Sequence, residues 1–482
     1  MILSGDSAFA VERAAWVPVG PTGAYDSPGV FWQTMAHTVV PRLGLVITAG
    51  ASAIFTVESI APGDIGFLSY GAALREISQD GFDIRVFFRR GDWYVPVFSG
   101  MLEQFDANCP WYSASFDLTS CVGSGGELIV ECGPGANNDP TADWLALYEL
   151  VIAPRSALSL YRARAFRAWR TQNEISVLNQ AYRHGMYAPD SLRTVKRPVP
   201  PHAFDYATSI LKESLGELPT FRSLLLRKMA MEKTRPLRML SIACGSARVE
   251  SGIVAGLPAG SVELTLVDIN QELLDLARGG FEVPVETVAG DLNEMELGYD
   301  RFDVVVCVSA LHHVVELERV LRGIANALRP TGEFWNIGEY VGETGARLWP
   351  ECYRVANELF SSWPEKYRWN HTATAEPRLD ASLPNVDCSV VSFEGVRSNE
   401  LEQLMASVFK TEWADKRSCF VWRLFDTAYG SNFDTSCAAD RAMIEAAALA
   451  DLSLMERGGR TVELNGVFRP LHKFGNVDPE HG

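Results

Sequence analysis

The chain has 482 residues and a formal net charge of −17 at pH 7. This length exceeds what one hydrophobic core organises, so we expect two or three domains. The acidic balance argues against non-specific nucleic-acid binding, because such binding needs many cations facing the phosphates.

The other bulk features favour a cytoplasmic protein without a membrane span. Hydrophobic residues make up 47% of the chain and charged residues 21%, as in ordinary globular proteins. No apolar run reaches the roughly 18 residues of a transmembrane helix, and the first residues lack the pattern of a secretory signal. The nine cysteines contain no CxxC pair, so neither a disulfide framework nor a zinc site is indicated.

Residues 1–154 have the sequence pattern of an all-β domain. Short apolar or alternating runs are separated by Gly, Pro, Asn or Asp, and this spacing predicts a β-sandwich. The predicted strands are 45–48, 53–58, 83–88, 94–98, 113–118 and 127–132.

The end of this domain, residues 133–152, resembles the closing hairpin of galactose-binding-like jelly rolls. An Asn/Asp-rich loop there precedes a strand that carries Asp143 and Trp144. We expect Trp93, Trp111 and Trp144 to pack in the core. The alternative for these tryptophans is a sugar platform, because aromatic faces stack on sugar C–H surfaces.

Residues 155–204 are predicted to form a linker helix and cap. Apolar residues recur at steps of three and four over 156–184, which indicates a helix, and a proline-rich stretch follows. The arginines on its other faces fit a solvated helix between two acidic domains, or a surface that attracts an anionic substrate. These arginines are Arg162, Arg164, Arg167 and Arg170.

Strands alternate with helices over residues 205–345. This order predicts an α/β, doubly wound (Rossmann-like) domain with a mostly parallel sheet, in which ligands bind beyond the carboxyl ends of the strands. The predicted strands are 237–243, 262–268, 285–289, 302–309 and 333–338.

Polar residues follow these strands where a nucleotide-like ligand needs them. Asp268 ends the second strand, where a carboxylate accepts both hydroxyls of a ribose. Asp291 follows the third strand and is placed to accept from an adenine amino group. Ser309 ends the fourth strand.

The array as a whole resembles the class I S-adenosylmethionine-dependent methyltransferases. The matching pieces, in the family's order, are Cys244-Gly245, Asp268, 290–292, 310–313 and 328–332. The resemblance implies S-adenosylmethionine as the cofactor. The cofactor-binding residues that it implies are Ala243, Cys244, Gly245, Asp268, Ile269, Asp291, Leu292 and Ser309.

The first strand-to-helix turn departs from the family pattern. Ser241 stands where the family has an acid, and Ala243 and Ala247 stand where it has glycines. Ser241 can form hydrogen bonds but cannot neutralise a sulfonium centre. We expect the alanines to function with negative φ angles, since alanine disfavours positive φ. The turn is therefore predicted to be a working variant.

His312 and His313 are the predicted catalytic residues, because an oxygen nucleophile needs a nearby base and neutral imidazole suits pH 7. We expect one of them, with a preference for His313, to be the base, the alternative for each being a structural role. No metal is expected. The predicted substrate contacts are Glu339, Tyr340 and Glu343, in a segment similar to methyltransferases of glycan-modifying gene clusters. Arg397 is a further candidate for an anionic acceptor, but an internal carboxylate is its favoured partner.

Residues 346–482 exceed what the sheet needs and are predicted to form a helical lid and a C-terminal sheet extension. Helices are expected at 349–363 and 440–457, and the apolar run 419–425 is expected to add a strand to the sheet.

These observations predict a methyltransferase that O-methylates a sugar or a glycosylated metabolite. One alternative is methylation of a non-sugar secondary metabolite at O, N or C. The other is a glycan-binding protein with a degenerate methyltransferase domain. The expected partner is a small-molecule or glycan acceptor, with no nucleic acid, and an oligomer is left open.

Overall fold

The computed structural model divides the chain into two compact units, Met1–Asn173 and Glu174–Gly482. The residues that it describes are 30–35, 42–73, 81–102, 112–135, 143–164, 167, 171, 175, 203–216, 219–232, 235–371, 378–390, 392–426 and 428–473.

The first unit contains two antiparallel sheets. One has the strand order β1-β2-β9-β4-β7 and the other the order β3-β8-β5-β6. The strands are β1 (Val30–Met35), β2 (Arg42–Thr48), β3 (Ser52–Ile60), β4 (Asp64–Ala72), β5 (Phe82–Arg90), β6 (Trp93–Leu102), β7 (Tyr112–Asp117), β8 (Gly123–Gly133) and β9 (Trp144–Pro154).

Alternating apolar residues of both sheets form one shared core. In β5, Phe82, Ile84, Val86 and Phe88 are fully buried, while the residues between them are only partly buried. They pack in the same cluster as Leu45 and other apolar side chains of the opposite sheet. This alternation of buried and partly buried residues is typical of a strand with one face in the core. The all-β sandwich predicted from the sequence is confirmed.

The three tryptophans of this unit differ in their surroundings. Trp144 is buried, as expected for the core, whereas Trp93 is 42% exposed, so the core prediction is wrong for Trp93. Trp111 lies outside the described residues. The jelly-roll resemblance of the closing hairpin stays a prediction.

The predicted linker helix begins as helix α1 (Leu158–Arg164), and most of its remainder lies outside the described residues. Leu158 and Tyr161 pack against the outer apolar cluster of the β unit. Arg162 donates a hydrogen bond to Ser115 Oγ at 3.4 Å. The start of the helix is therefore anchored on the β-sandwich.

The second unit contains a seven-stranded sheet with the order β12-β11-β10-β13-β14-β18-β17. Its first five strands are parallel and the last two are antiparallel to their neighbours. The strands are β10 (Leu237–Ile242), β11 (Val262–Asp268), β12 (Val285–Ala289), β13 (Phe302–Val308), β14 (Leu328–Tyr340), β17 (Phe409–Arg417) and β18 (Glu463–Pro470), and a separate pair is formed by β15 (Trp369–Asn370) and β16 (Arg378–Leu379).

Helices follow or precede these strands and bury both faces of the sheet. Leu240 and Ile242 of β10 belong to one core cluster, while Leu237 and Met239 belong to a second one. The helices are α2 (Ala203–Leu215), α3 (Phe221–Met231), α4 (Arg248–Val254), α5 (Gln271–Arg278), α6 (Leu317–Ala327), α7 (Pro350–Ser362), α8 (Leu401–Val408), α9 (Val421–Phe425) and α10 (Ala438–Glu456). The doubly wound α/β fold predicted from the sequence is confirmed. Within the described residues, no helix is both long and apolar enough for a membrane span.

The apolar run 419–425, predicted as a strand, is instead a buried bend followed by α9. The sheet is extended by β17 and β18. Asp451 of α10 is completely buried and accepts the N–H groups of Cys419, Phe420 and Val421 at 2.8, 2.8 and 2.6 Å. Because the N–H groups at a helix start have no acceptor within the helix, the carboxylate favours a helix at this place.

Replacing Asp451 with alanine is expected to lower the free energy of unfolding by about 2–4 kcal/mol, because three buried donors lose their acceptor. Urea titration followed by tryptophan fluorescence measures the change. Glu456→Ala, at an exposed position of the same helix, should shift it by less than about 0.5 kcal/mol. Equal effects of the two substitutions would contradict this role of Asp451.

Candidate active site

The turn between β10 and α4 lies at the carboxyl edge of the parallel sheet. Ala243, Gly245 and Ala247 have φ angles of 47°, 52° and 51°. The expectation of negative φ at the two alanines is therefore wrong. A left-handed conformation costs an alanine about 1 kcal/mol, so the turn holds strain that its surroundings must offset.

Asp268, at the end of β11, holds this turn in place. Its Oδ2 accepts the N–H of Gly245 at 2.7 Å, and its Oδ1 accepts the N–H of Asn270 at 2.8 Å. The side chain of Asn270 in turn caps α5. Each carboxylate oxygen accepts more than one hydrogen bond, so these contacts leave capacity for hydroxyls of a ligand.

A buried acid lies beneath the turn, and the sequence reasoning missed it. Glu250, in the first turn of α4, is 1% exposed and accepts a hydrogen bond from Ser241 Oγ at 2.5 Å. Burial raises the pKa of Glu250, and no salt bridge to it occurs within the described part of the chain. A carboxyl group absent from position 241 is thus supplied by the following helix. The sequence feature that could have indicated Glu250 is its place as an acid in the first turn of the helix after β10.

The remaining residues predicted for the cofactor lie along the same edge. Ile269 is 38% exposed just beyond Asp268, and Ser309 is exposed at the end of β13. Asp291 is half-buried and accepts two hydrogen bonds from Asn293 at 2.8 Å. The structure therefore brings these predicted residues to the ends of four adjacent parallel strands.

Glu339, at the end of β14, organises the loop after β13. It is fully buried and accepts the N–H groups of Ala310, Leu311 and His312 at 3.2, 2.9 and 3.0 Å. Its Oε1 also lies 2.6 Å from His312 Nδ1. Burial by itself raises the pKa of Glu339. His312 and the backbone donors lower the pKa by a larger amount, so the net pKa lies below its usual value.

Glu394 completes a cluster with the two histidines. Its Oε1 lies 3.4 Å from His312 Nε2, and its Oε2 lies 3.2 Å from His313 Nε2. Burial raises the pKa of Glu394, but both histidines lower it to well below its usual range. Burial lowers the pKa of His312, and the two carboxylates raise it to a net value above the usual one. The sequence analysis named the nearby Arg397 but not Glu394.

The segment that carries Glu394 is fixed from several sides. The N–H of Val396 donates to the carbonyl of His312 at 3.0 Å. Arg397 is 2% exposed and pairs with Glu318 and Glu400 at 2.7 and 2.8 Å. Arg397 therefore binds internal carboxylates, the favoured one of its two predicted roles, and it anchors this segment.

Two of the other predicted substrate residues, Glu339 and Tyr340, also face the protein. Glu339 is buried against the histidine loop, as described above. Tyr340 is 9% exposed, donates to the carbonyl of Arg347, and has a pKa raised by burial. The backbone N–H of Glu343 bonds the carbonyl of Arg347 at 2.9 Å. Glu339 and Tyr340 therefore position the site rather than line an acceptor pocket.

Comparison with known proteins gives a family match for part of the chain. Residues 239–332 match the family model described as a methyltransferase domain, so this part of the chain is a methyltransferase domain. The chain is 28% identical, over 120 residues, to a ubiquinone/menaquinone biosynthesis C-methyltransferase of Methylobacterium nodulans. The matched region covers 24% of this chain and 46% of the relative. The chain thus spans about half the length of this curated relative.

Two solved structures are also similar to the chain. A TehB-like SAM-dependent methyltransferase from Corynebacterium glutamicum has 22% identity and a TM-score of 0.21, covering 28% of this chain and 72% of its own. An S-adenosylmethionine-dependent methyltransferase from Mesorhizobium loti has 18% identity and a TM-score of 0.27, and the match covers 52% of this chain and 98% of that structure.

The cofactor of such a domain is S-adenosylmethionine, and the residues present fit it. A Cβ added at Gly245 would meet only Leu273 Cδ1, at 3.9 Å, so the turn leaves room for a ligand. We propose that Asp268 accepts from the ribose hydroxyls and Asp291 from the adenine amino group.

The strain of the turn gives a prediction about stability. Ala243→Gly and Ala247→Gly should each raise the free energy of unfolding by about 0.5–1 kcal/mol, because glycine adopts positive φ freely. Ala255→Gly, where φ is −54° at the end of α4, should lower it by a similar amount, since glycine gains only unfolded-state freedom there. Denaturant titration of the three variants measures this difference in sign.

Asp268→Ala should weaken binding of S-adenosylhomocysteine by about 2–4 kcal/mol, the effect of unpairing buried polar groups. Asp275→Ala, on the exposed side of α5, is the matched control in calorimetry. A 2′-deoxy analogue should lose affinity for the native chain but little more for the variant. Unchanged affinity in a folded Asp268→Ala protein would refute the ribose contact.

Proposed function

We propose that this chain is an S-adenosylmethionine-dependent methyltransferase that acts on a hydroxyl group. The observation that carries the proposal is the position of the cluster His312–His313–Glu394. Its two histidines follow β13, which is the direct neighbour of β10 in the sheet. Strand β10 in turn leads into the cofactor turn. A methyl donor at the turn and an acceptor at the cluster would therefore lie side by side.

The reaction has two requirements that protein residues must meet. The cofactor supplies a methyl group on a positively charged sulfur, which is itself the leaving group. The protein must align the acceptor with that carbon and promote loss of the acceptor proton. Asp268 and the strained turn serve the first need, because they fix the cofactor end of the site.

The histidine cluster serves the second need. A hydroxyl has a pKa far above 7, so its proton must leave as the new carbon–oxygen bond forms. The cluster can promote this in two ways: a ring nitrogen accepts the proton, as predicted from the sequence, or the cluster holds a cation that acidifies the hydroxyl. His313, whose side chain is 31% exposed against 5% for His312, is the ring that an acceptor can approach.

The proposed acceptor is a sugar or a glycosylated metabolite. Trp93 and Tyr94 of the β-sandwich are 42% and 47% exposed, and exposed aromatic faces are typical of sugar-binding surfaces. A second candidate comes from the curated relative, whose name describes C-methylation in quinone biosynthesis. A quinol-like ring is the corresponding acceptor for this chain.

His313→Ala should reduce turnover by roughly 10²–10⁴-fold and leave S-adenosylhomocysteine affinity unchanged, because the ring serves the acceptor and not the cofactor. Transfer of an isotope-labelled methyl group to panels of glycosides and quinols measures turnover and identifies the acceptor atom. His312→Ala should instead lose stability, since its ring bonds the buried Glu339.

His371→Ala is the control for this experiment, because the ring of His371 is exposed, contacts Asn432 Oδ1 at 2.8 Å and is not part of the cluster. Near-native turnover of both cluster variants would remove the histidines from catalysis. Absence of transfer to every acceptor, with the cofactor bound, would leave the degenerate-domain alternative.

A further inference from the structure

Three side chains from two distant segments converge at the acceptor side of the site. A nitrogen of His312, a nitrogen of His313 and a carboxylate oxygen of Glu394 all lie within 4.8 Å of one another. We propose that these three residues bind a divalent transition-metal ion. The inference deepens the proposed function, on which its catalytic part rests.

The distances suit a shared metal ion. Zinc and similar ions bind imidazole nitrogen and carboxylate oxygen at about 2.0–2.2 Å, which sets neighbouring ligand atoms roughly 3.0–3.5 Å apart. The two nitrogen–oxygen separations in the cluster, from His312 and from His313 to Glu394, are 3.4 and 3.2 Å. Only small side-chain movements would be needed to place an ion between these atoms.

The hydrogen bonds around His312 prepare its Nε2 as a ligand. Glu339 accepts three backbone N–H groups, which favours its ionised form, and it lies 2.6 Å from His312 Nδ1. Nδ1 therefore bonds Glu339, and Nε2 faces the Glu394 carboxylate at 3.4 Å. A proton or a metal ion can lie between these two atoms, and a metal ion displaces the proton when it binds. Ligating imidazoles in metal sites usually donate their other ring N–H to a carboxylate in this way.

The donor set and its exposure indicate the kind of site. Two imidazoles and one carboxylate favour ions of the manganese-to-zinc series over magnesium or calcium, which prefer oxygen-only ligands. The His312 side chain is 5% exposed, while those of His313 and Glu394 are 31% and 42% exposed. The cluster is thus closed on one side and open on the other, like catalytic sites with three protein ligands and a free position.

An ion at this place would activate the proposed acceptor. The acceptor hydroxyl oxygen takes the free position, which lowers the pKa of the hydroxyl, and its proton passes to water. The oxygen then forms a bond to the methyl carbon while the carbon–sulfur bond breaks, and the electron pair of that bond stays on sulfur. The histidines act in this case as ligands and not as the base predicted from the sequence.

The test uses the full chain, stripped with a chelator and titrated with Co²⁺ alone. Visible absorption and calorimetry should show one Co²⁺ per chain in the native protein. His313→Ala and Glu394→Ala should weaken binding by more than about 100-fold, and Glu339→Gln by roughly 10–100-fold. Glu394→Gln, which keeps the side-chain volume, guards against a folding defect, and His371→Ala should bind Co²⁺ like the native protein.

S-adenosylhomocysteine affinity is measured on each variant and should not change. Absence of stoichiometric Co²⁺ binding to the native chain would overturn the inference, as would unchanged binding in both ligand variants. Full methyl transfer by the stripped protein would also overturn it while leaving the proposed function intact. Stoichiometric binding without transfer to any acceptor would support the metal site and refute the proposed function.

Discussion

The buried carboxylate of Glu339 is the constraint on which the site depends. It sits at the end of β14 without solvent contact and accepts three successive N–H groups of the loop after β13. A carboxylate in such a place is tolerable only because these donors and His312 compensate its lost hydration. In return the loop has one conformation, which directs the rings of His312 and His313 toward Glu394.

Carboxylates also rebuild the cofactor turn. Its alanines adopt the left-handed conformation despite their Cβ atoms, and Asp268 holds the intervening Gly245 by its backbone N–H. Glu250 reaches back from α4 to Ser241 and brings a buried carboxyl group to the end of the first strand. The turn is therefore held by the carboxyl groups of two neighbouring elements.

The antiparallel extension of the sheet explains how a late segment reaches the site. Strands β17 and β18 continue the sheet beyond β14. The chain between β14 and β17 returns over the carboxyl edge, where Arg397 is locked by Glu318 and Glu400. This buried ion network fixes the neighbouring Glu394 beside the histidines, so a residue far along the chain becomes part of the cluster.

The sequence by itself determined the local elements and the edge at which ligands bind. Strict alternation in β5 and buried apolar runs such as β13 predict strands, and parallel order puts Asp268 and Ser309 at one edge. Only the tertiary structure decided the rest. Periodicity cannot separate a short buried helix from a strand, so Asp451 decided the run 419–425. Periodicity also cannot reveal which distant carboxylates pair with His312 or Ser241, because such contacts depend on packing between elements and not on spacing along the chain.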